Sequence, residues 1–591
     1  MPLTYLILGV TASIAMGASS SPVADAAQSG NKEAVRALIQ QKADLKAPQP
    51  DGATAIQWAV YRNDVELAEL LIAGGADVKA PNRDGATPLF LASLTGNASL
   101  IEKLLKAGAD ANEKELDGTT PLMFAARNGN VAAIQVLLDH KSDVNAKEAV
   151  RGTTALMWAA EQGHPEAVKI LIEHGANVST ASNTDTKGNK AYVAPTARQR
   201  AINDGIALDG SFTGRRGNAA ARTPQAAASG RSRTQTAAAS GNPAPAATDV
   251  AAADEAAAQA SFGRTRDKDG GGLTPLVYAA REDCLECAKL LVEHGADVNQ
   301  TTKYGWTALL TATQNRHYKL AAYLLEHGAN PNILNNGGWS PLYIATDNRN
   351  IESGDYPVRK PDMDHLAYIK LLIDHGANVN VRVCGAQSTP EKCVGDNTET
   401  RTNFTMQWFY EDGATPFIRA AQSGDVVLMK LLLARGADPK IATSTNDTAL
   451  SAAAGIGWVE GVTYEWSESQ NLEAVKMCLD LGLDPETRDG DGRVALHGAA
   501  HKGRNSVVQL LVDHGSRLDT PDDGSRDSIS GAMYGHLWTP IEYARGLVRV
   551  GVQSAIAHPA TEALLKQLLE QKGLPVPPPL QASICLAQIC K

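Results

Sequence analysis

Two cysteines, Cys284 and Cys287, have the CxxC spacing that is typical of redox and metal sites. A second CxxC that could complete a zinc site is missing nearby, and Ala288 follows where a c-type haem attachment motif has histidine. Cys287 also falls at an apolar position of a predicted helix, where a small buried side chain packs well. The spacing therefore favours a structural role for these residues over a redox role.

Histidines form a second candidate set, because they recur beside glycine at the ends of predicted helices. Equivalent atoms of stacked helices lie about 8–10 Å apart, whereas a metal ion holds its ligand atoms at about 2 Å. A ladder at that spacing cannot share one ion, and a histidine in the last helical turn interacts favourably with the helix dipole. We therefore predict structural roles for this set, which comprises His140, His174, His294, His327, His375 and His514.

Longer catalytic signatures are weak or missing. The sequence contains no GxSxG, HExxH or GxxxxGK[ST] motif. Residues 490–495 fit GxGxxA but follow no hydrophobic strand, so dinucleotide binding has little support. Residues 489–492 resemble part of a calcium loop, yet the glutamate needed at its twelfth position is absent. We expect no catalytic residues, no metal site and no cofactor.

The elements that carry these residues repeat along the chain. One pattern opens with a threonine at intervals of 33, 33 and 34 residues, at Thr54, Thr87, Thr120 and Thr154. In the copy that starts near residue 84, Thr87 is a good N-cap, Pro88 suits the first helical position and Gly108 ends a second, amphipathic helix. Two such short helices cannot bury their apolar faces alone, so the period predicts a stack of helix pairs.

The consensus of these copies resembles the ankyrin repeat: Asp-Gly-x-Thr-Pro-Leu-x-x-Ala-Ala-x-x-Gly, followed by Leu-Leu-x-x-Gly-Ala-Asp-Val-Asn. Residues 22–49 look like a degenerate first copy, and the family's histidine after Thr-Pro-Leu is kept only at His497. The resemblance implies an all-α repeat solenoid of stacked helix-turn-helix units with β-turn fingers, in a protein of bacterial type with about eleven to twelve repeats. Clear copies begin near residues 51, 84, 117, 151, 270, 304, 337, 412, 446, 490 and 536.

The period breaks between Thr154 and Thr274, and this break sets the predicted domain organisation. Its residues are rich in Ala, Gly, Ser, Thr and Arg and carry too little apolar surface to offset the entropy of ordering. We predict two independently folding arrays joined by a disordered linker, with further insertions near 351–364, 381–408 and 456–470. The predicted segments are a signal peptide at 1–21, an N-terminal array at 22–180, the linker at 181–268, a C-terminal array at 269–574 and a Pro-rich tail with a cysteine pair at 575–591.

Charge is distributed unevenly. Residues 187–233 carry nine Lys or Arg and two Asp, a net charge of +7, so the rest of the chain, whose total is −10, carries −17. An acidic scaffold suits a protein partner with a basic or peptide-like surface. The basic segment could touch nucleic acid, anionic lipid or the acidic arrays themselves. A solvated linker is favoured because aromatic residues for base stacking are scarce there, so we expect no specific binding of nucleic acid.

The N-terminus is apolar and rich in small residues from Leu3 to Ala18, which is typical of a signal-peptide core with cleavage near 17–21. This stretch is too short for a secure membrane span. The usual basic residues before the core are missing, because the first Lys or Arg is Lys32. We expect export to the periplasm or secretion, and a cytoplasmic location if the segment is not a signal.

Cysteine spacing fits an oxidising compartment in part. Two pairs are close enough in sequence for local disulfides, Cys384 with Cys393 and Cys585 with Cys590. Cys478 is left over on a predicted helix, and we expect it to be a buried free thiol.

Large aromatic residues are the candidate partner-binding residues, because tryptophan is enriched in binding hot spots. Trp306, Trp339 and Trp538 directly precede the helix-capping residue, a position that repeats of this type expose and vary. Trp58 and Trp158 occupy an apolar helical position, so we predict that they pack in the core. The full candidate set is Tyr304, Trp306, Trp339, Trp408, Tyr410, Trp458, Trp466 and Trp538.

Three of these tryptophans, Trp408, Trp458 and Trp466, lie in or beside predicted insertions. Buried anchors and partner contacts use the same residue types. These side chains therefore either pin the insertions onto the array or contact a partner, and the sequence leaves the two roles open.

The sequence favours a non-enzymatic, exported scaffold for protein–protein interaction that binds partners through its fingers, its concave surface and its insertions. One alternative is an enzyme or small-molecule-binding protein whose pocket is built by the insertions of the second array. Another is a secreted effector that acts on another organism's proteins. The oligomeric state does not follow from the sequence.

Overall fold

The computed structural model describes residues 21–83, 85–184, 271–350, 360–383, 413–458, 465–524, 536–548 and 556–579. Within these stretches the chain forms 24 α-helices in consecutive pairs, and they contain no β-strand. None of the helices described there is long and apolar enough to cross a membrane. The predicted all-α arrangement of helix pairs is confirmed.

Each pair consists of a first helix with an odd number and a second helix with an even number. The helices before residue 330 are α1 (Pro22–Ser29), α2 (Lys32–Gln40), α3 (Ala55–Tyr61), α4 (Val65–Ala73), α5 (Pro88–Thr95), α6 (Ala98–Lys106), α7 (Pro121–Arg127), α8 (Val131–Asp139), α9 (Ala155–Glu161), α10 (Pro165–Glu173), α11 (Pro275–Glu282), α12 (Leu285–Glu293), α13 (Ala308–Gln314) and α14 (Tyr318–Glu326). The later helices are α15 (Pro341–Arg349), α16 (His365–Asp374), α17 (Pro416–Gln422), α18 (Val426–Ala434), α19 (Ala449–Ala454), α20 (Glu468–Asp480), α21 (Ala495–Lys502), α22 (Asn505–Asp513), α23 (Pro540–Ala544) and α24 (Pro559–Gln571).

Local sequence explains where the helices begin and end. At α5 the hydroxyl of Thr87 accepts the N–H of Phe90 at 3.3 Å, and Pro88 occupies the first helical position. Gly96 ends this helix in the left-handed conformation, with φ of 73°. Asn97 then caps α6 by accepting the N–H of Leu100 at 3.0 Å. The predicted roles of Thr87 and Pro88 are therefore confirmed, whereas the C-cap of α6 is Ala107, with Gly108 next at φ of 100°.

A β-turn finger precedes each later first helix. In one finger the N–H of Gln49 donates to the carbonyl oxygen of Ala53 at 2.8 Å, which closes the turn. Neighbouring fingers are bridged through their backbones, as in the 2.7 Å hydrogen bond from the N–H of Ala149 to the carbonyl oxygen of Asp117. Fingers and helices therefore repeat in one register.

Helix pairs bury their apolar residues against neighbours on both sides. The first helix α3 packs against α1 and α5, and the second helix α4 packs against α2 and α6. Leu67 and Leu71 are fully buried, as are Ala59 and Ala92, whose small side chains allow the first helices to approach closely. In these repeats the core is therefore a continuous layer between the two rows of helices rather than a separate core for each pair.

The described residues form two compact units. The first contains the residues up to 184 together with 271–312 and 319–329, and the second contains 313–318 and the residues from 330 onward. This division differs from the predicted arrays at 22–180 and 269–574, because α9 packs against α11 and α10 packs against α12 within the first unit. The array therefore continues across the predicted linker instead of stopping there.

Residues 185–270 lie outside the described residues. The chain on either side of them belongs to a single finger of the array. The N–H of Ser182 donates to the carbonyl oxygen of Leu273 at 2.9 Å, so this finger closes like the others. Two later insertions also fall between the paired residues of a finger. The N–H of Val383 donates to the carbonyl oxygen of Ala414 at 3.0 Å, and the N–H of Asp522 donates to that of Trp538 at 2.9 Å. A finger tip accepts extra residues because only its base must stay in register.

Candidate partner-binding surface

The tryptophans predicted to bind a partner are mostly buried. Trp306 and Trp339 are each 1% exposed, Trp538 is 2% exposed and Tyr304 is 5% exposed. Side chains with so little accessible surface cannot contact a partner in this conformation. The prediction that these four residues are exposed for partner binding is wrong.

The position before the helix cap explains the error. The carbonyl oxygen of Trp306 accepts the N–H of Thr302 at 2.8 Å, so this residue forms the returning side of the finger. The carbonyl oxygen of Trp339 accepts the N–H of Asn335 in the same way. The Trp339 ring also packs edge-on to Tyr343, with ring centroids 4.9 Å apart. Thr119 and Thr153 at this position are buried as well, and Ala53 and Ala86 are half-buried. The repeat directs this side chain into the array.

Two of the insertion tryptophans are half-buried and held by the array itself. The indole N–H of Trp466 donates to Asn350 Oδ1 at 2.9 Å, and the guanidinium of Arg349 lies 4.5 Å from its ring centroid. Trp458 has the ammonium of Lys502 5.5 Å from its ring centroid. These contacts favour the anchoring role over partner contact.

Several predicted residues lie outside the described stretches, namely Trp408, Tyr410, Cys384, Cys393, Cys585 and Cys590. Cys284 and Cys287 are joined by a disulfide, a pairing that the sequence argument did not favour. Cys478 is fully buried with a free thiol, as expected. The CxxC spacing was the available signal for the disulfide.

Several members of the histidine ladder bond to their own helices, which fits the structural role predicted for the set. The Nδ1 atoms of His174, His294 and His514 each lie 2.8 Å from the carbonyl oxygen four residues earlier. Each ring therefore donates a hydrogen bond to the last turn of its own helix. Among the residues that the structure describes, no group of three or more His, Cys, Asp or Glu side chains is arranged to hold a metal ion.

A row of large apolar residues lies half-buried on the first helices of the first unit. Each of them is the fourth residue after its capping threonine, so they repeat in register along α3, α5, α7 and α9. We call this row the first-helix stripe, and it consists of Trp58, Leu91, Phe124 and Trp158. The prediction that Trp58 and Trp158 belong to the core is therefore wrong.

Contacts within the repeats hold the stripe in one arrangement. The indole N–H of Trp58 donates to Gln49 Oε1 at 2.6 Å, and that of Trp158 donates to Thr153 Oγ1 at 2.7 Å. Phe124 meets the ring of Trp158 edge-on, with centroids 6.0 Å apart. Rings with fixed orientation lose little conformational entropy when they bind.

The stripe is extended by side chains that are clearly exposed. Tyr61 and Leu94, three residues after Trp58 and Leu91, are 68% and 53% exposed. On the neighbouring finger tips, Leu116 is 99% exposed and Val150 is 56% exposed. The first helices and fingers of this unit thus present apolar side chains to solvent on one side of the array.

The stripe ends where α11 begins. Tyr278 holds the equivalent position but is buried, and burial raises the pKa of its phenol to about 12. The guanidinium of Arg281 lies 5.0 Å from its ring centroid and donates to Glu161 Oε1 at 2.6 Å. An ion pair next to a buried ring closes this end of the apolar row.

The second unit buries the residues equivalent to the stripe. Ile344 and Arg419 are each 1% exposed, and Tyr543 is 3% exposed. Arg419 forms a buried ion pair with Asp347 at 2.7 Å and donates to the carbonyl oxygen of Asn350. The half-exposed apolar row is therefore a feature of the first unit.

Models of known protein families match this chain along much of its length. One described as ankyrin repeats in three copies matches residues 23–115, 89–182, 237–335 and 295–383. Another, described as ankyrin repeats in many copies, matches 467–512, and a single ankyrin repeat matches 412–444.

Similar proteins include ankyrin repeat and SOCS box protein 16 of Mus musculus, which is 26% identical over 159 residues, or 26% of this chain and 34% of that protein. The E3 ubiquitin-protein ligase KEG of Arabidopsis thaliana is 34% identical over 97 residues, or 16% of this chain and 5% of that protein. The serine/threonine-protein kinase 12 of the same plant is 36% identical over 64 residues, or 11% of this chain and 14% of that protein. This chain thus spans about a third or less of each relative, within regions that repeat. Together with the stacked helix pairs and fingers, the family matches show that this chain belongs to the ankyrin-repeat family.

Proposed function

We propose that this chain is a non-enzymatic scaffold that binds a protein partner on the first helices and finger tips of its first unit. Ankyrin repeats indicate a role in protein–protein interaction. The observation that carries the location is the first-helix stripe, because a row of oriented, half-buried aromatic and aliphatic side chains beside exposed apolar ones is unusual on a surface that stays in water.

The chemistry of this surface suggests the kind of partner. Apolar side chains of the stripe would receive apolar side chains of the partner, spaced at about 8–10 Å by the stacking of the helices. The net charge of −17 outside residues 187–233 favours a partner segment that also carries basic residues. We therefore propose a peptide-like segment with alternating apolar and basic side chains.

Export is part of the same proposal. The apolar stretch from Leu3 to Ala18 supports a signal peptide. N-terminal sequencing of the protein purified from cell fractions tests this point. A mature start near residue 18–22 in an extracytoplasmic fraction is expected, and an intact Met1 in the cytosol would overturn it.

The interaction surface is tested by affinity capture with three baits. The wild-type chain is compared with a Phe124→Ala/Trp158→Ala variant and with Val131→Ala, a matched control on the second helix of the same repeat as Phe124. Hot-spot truncation costs about 2 kcal/mol or more, so a true partner should be recovered at least about tenfold less on the double variant.

Circular dichroism of all three baits checks that each chain is folded. Recovery of the partner should be unchanged on Val131→Ala, whose side chain is 37% exposed away from the stripe. If the same proteins are recovered equally on all three folded baits, the assignment of the stripe as the binding surface fails.

A further inference from the structure

The disulfide between Cys284 and Cys287 sits at the start of the nine-residue helix α12. Cys284 is the N-cap residue and is half-buried, whereas Cys287 lies one turn into the helix and is 0% exposed. Cys284 is therefore the more accessible residue of the pair, and Cys287 is fully enclosed.

The repeat fold does not need sulfur at either position. Six other second helices are capped by a side-chain oxygen that accepts the N–H three residues later, at Asn31, Asp64, Asn97, Asn130, Asp364 and Asp425. In α12 the acceptor is Cys284 Sγ, 3.2 Å from the N–H of Cys287, and sulfur is a weak acceptor. The residue equivalent to Cys287 is alanine in the two preceding repeats, Ala133 and Ala167.

The crosslink also contributes little to the stability of the array. It closes a loop with only two residues between the cysteines, and in the loop-closure model a disulfide stabilises less as its loop becomes shorter. The two cysteines already lie within one helical turn, whose conformation the stacked neighbours maintain. Another role for the sulfur pair is therefore favoured.

We propose that Cys284 and Cys287 form a thiol–disulfide exchange site whose substrates are thiols and dithiols. Backbone N–H groups and the helix dipole at the start of α12 stabilise a thiolate on Cys284. The neighbouring carboxylate of Glu286 opposes this effect, but it is paired with Lys289 at 2.7 Å. The half-buried Cys284 is the residue that a substrate reaches, and Cys287 is the resolving cysteine.

The reaction is a two-electron exchange. A thiolate of the dithiol attacks Cys284 Sγ, the bond to Cys287 breaks, and Cys287 leaves as a thiolate that takes up a proton. The second thiolate of the dithiol then attacks the sulfur bound to Cys284, and Cys284 leaves and is protonated in turn. The dithiol is oxidised to its disulfide, and its two protons end on the two cysteine thiols. The reverse direction reduces a substrate disulfide.

Glutathione provides the probe, and the full chain is used. Reduced Cys287→Ala protein is incubated with oxidised glutathione, digested with trypsin and examined by mass spectrometry. The two cysteines share the tryptic peptide 282–289, so the remaining cysteines do not interfere. We expect one glutathione on Cys284 in Cys287→Ala, and at least tenfold less on Cys287 in the matched Cys284→Ala variant. Equal labelling of the two variants, or no labelling of Cys284, overturns the proposal.

A second measurement uses the wild-type chain, so it does not depend on the folding of the variants. Dithiothreitol should reduce the pair while circular dichroism stays unchanged, and iodoacetamide should then modify Cys284 at least tenfold faster than Cys287. A disulfide that is reduced only when the chain unfolds, or equal alkylation rates, also overturns the proposal. Neither result bears on partner binding at the first-helix stripe.

Discussion

Ser182 and Leu273 are 91 residues apart in sequence and hydrogen-bonded to each other twice. The N–H of Ser182 donates to the carbonyl oxygen of Leu273, and the N–H of Leu273 donates to the hydroxyl of Ser182, both at 2.9 Å. This pairing closes a finger of the repeat array, so the intervening residues form an insertion at a finger tip.

Deletion of residues 185–270 should therefore leave the array intact. The shortened finger would have four residues between Ser182 and Leu273, the same number as between Glu148 and Thr153, which are also paired. We expect the melting temperature by circular dichroism to change by less than about 3 °C, because the deletion removes no described helix contact. A deletion that also removes Pro275–Glu282 is the control and should unfold the array locally. A large loss of stability in the first deletion would show that the finger register is wrong.

Trp306→Ala should destabilise the chain, because the side chain is almost fully buried and its removal leaves a cavity. Large-to-small substitution of a buried tryptophan costs about 3–5 kcal/mol, and Trp339→Ala should behave in the same way. Urea unfolding followed by circular dichroism measures the effect. Tyr61→Ala, which removes a 68% exposed ring, is the matched control and should change stability by less than about 0.5 kcal/mol. Equal midpoints for the buried and exposed variants would contradict the burial of these tryptophans.

Glu113→Gln should stabilise the chain at alkaline pH. Burial raises the pKa of Glu113 from 4.5 to about 7, and the hydroxyl of Thr87 donates to its carboxylate. A carboxyl group with a raised pKa binds its proton more tightly in the folded chain, so its contribution to stability is lost as pH rises from about 4.5 to about 7. At pH 8 glutamine avoids the cost of a half-buried charge, which we set at about 1–2 kcal/mol after allowing for solvent screening.

Urea unfolding of wild type and Glu113→Gln at pH 4 and pH 8 checks this prediction. The two proteins should differ at pH 8 and be nearly equal at pH 4. Glu173→Gln, at an exposed position on α10, serves as the control and should show no such pH dependence. A difference that is the same at both pH values would contradict the titration of Glu113.

His497 should be replaceable by glutamine but not by alanine. Its Nδ1 accepts the N–H of Val494 at 3.0 Å, and its Nε2 donates to the carbonyl oxygen of Trp538 at 3.1 Å. Gln57 makes the equivalent bonds in another repeat, accepting from Thr54 and donating to Ala86. His497→Ala leaves the buried N–H of Val494 without this acceptor, which should lower the free energy of unfolding by about 2–3 kcal/mol. His497→Gln should lower it by less than half of that.

The pH dependence of these variants provides a second readout. Burial lowers the pKa of His497 from 6.5 to about 3, so the stability contributed by the neutral ring is present above about 6.5 and lost as pH falls towards 3. The stability difference between wild type and His497→Gln should therefore shrink between pH 7 and pH 4 in urea unfolding. An unchanged difference would mean that the ring does not titrate in this way.

Local features could be predicted from particular residues. Thr87, Pro88 and Gly96 specify the start and end of α5 through bonds to their own neighbours, so the sequence suffices. The burial of Trp306 could not be predicted in this way. Its environment is built by residues distant in sequence, and a tryptophan at a finger base has the same local pattern whether it faces solvent or the array.

The sequence by itself determined the repeat period, the helix pairs and the all-α class, because each depends on spacing and on caps within one repeat. Only the tertiary structure decided that the array continues across residues 185–270, that the half-exposed stripe runs from Trp58 to Trp158, and that Cys284 bonds to Cys287. Each of these depends on distances between atoms that stacking or helix geometry brings together. Whether a hydrogen bond, a buried contact or a sulfur–sulfur bond forms depends on such distances. The spacing of residues along the sequence does not give these distances.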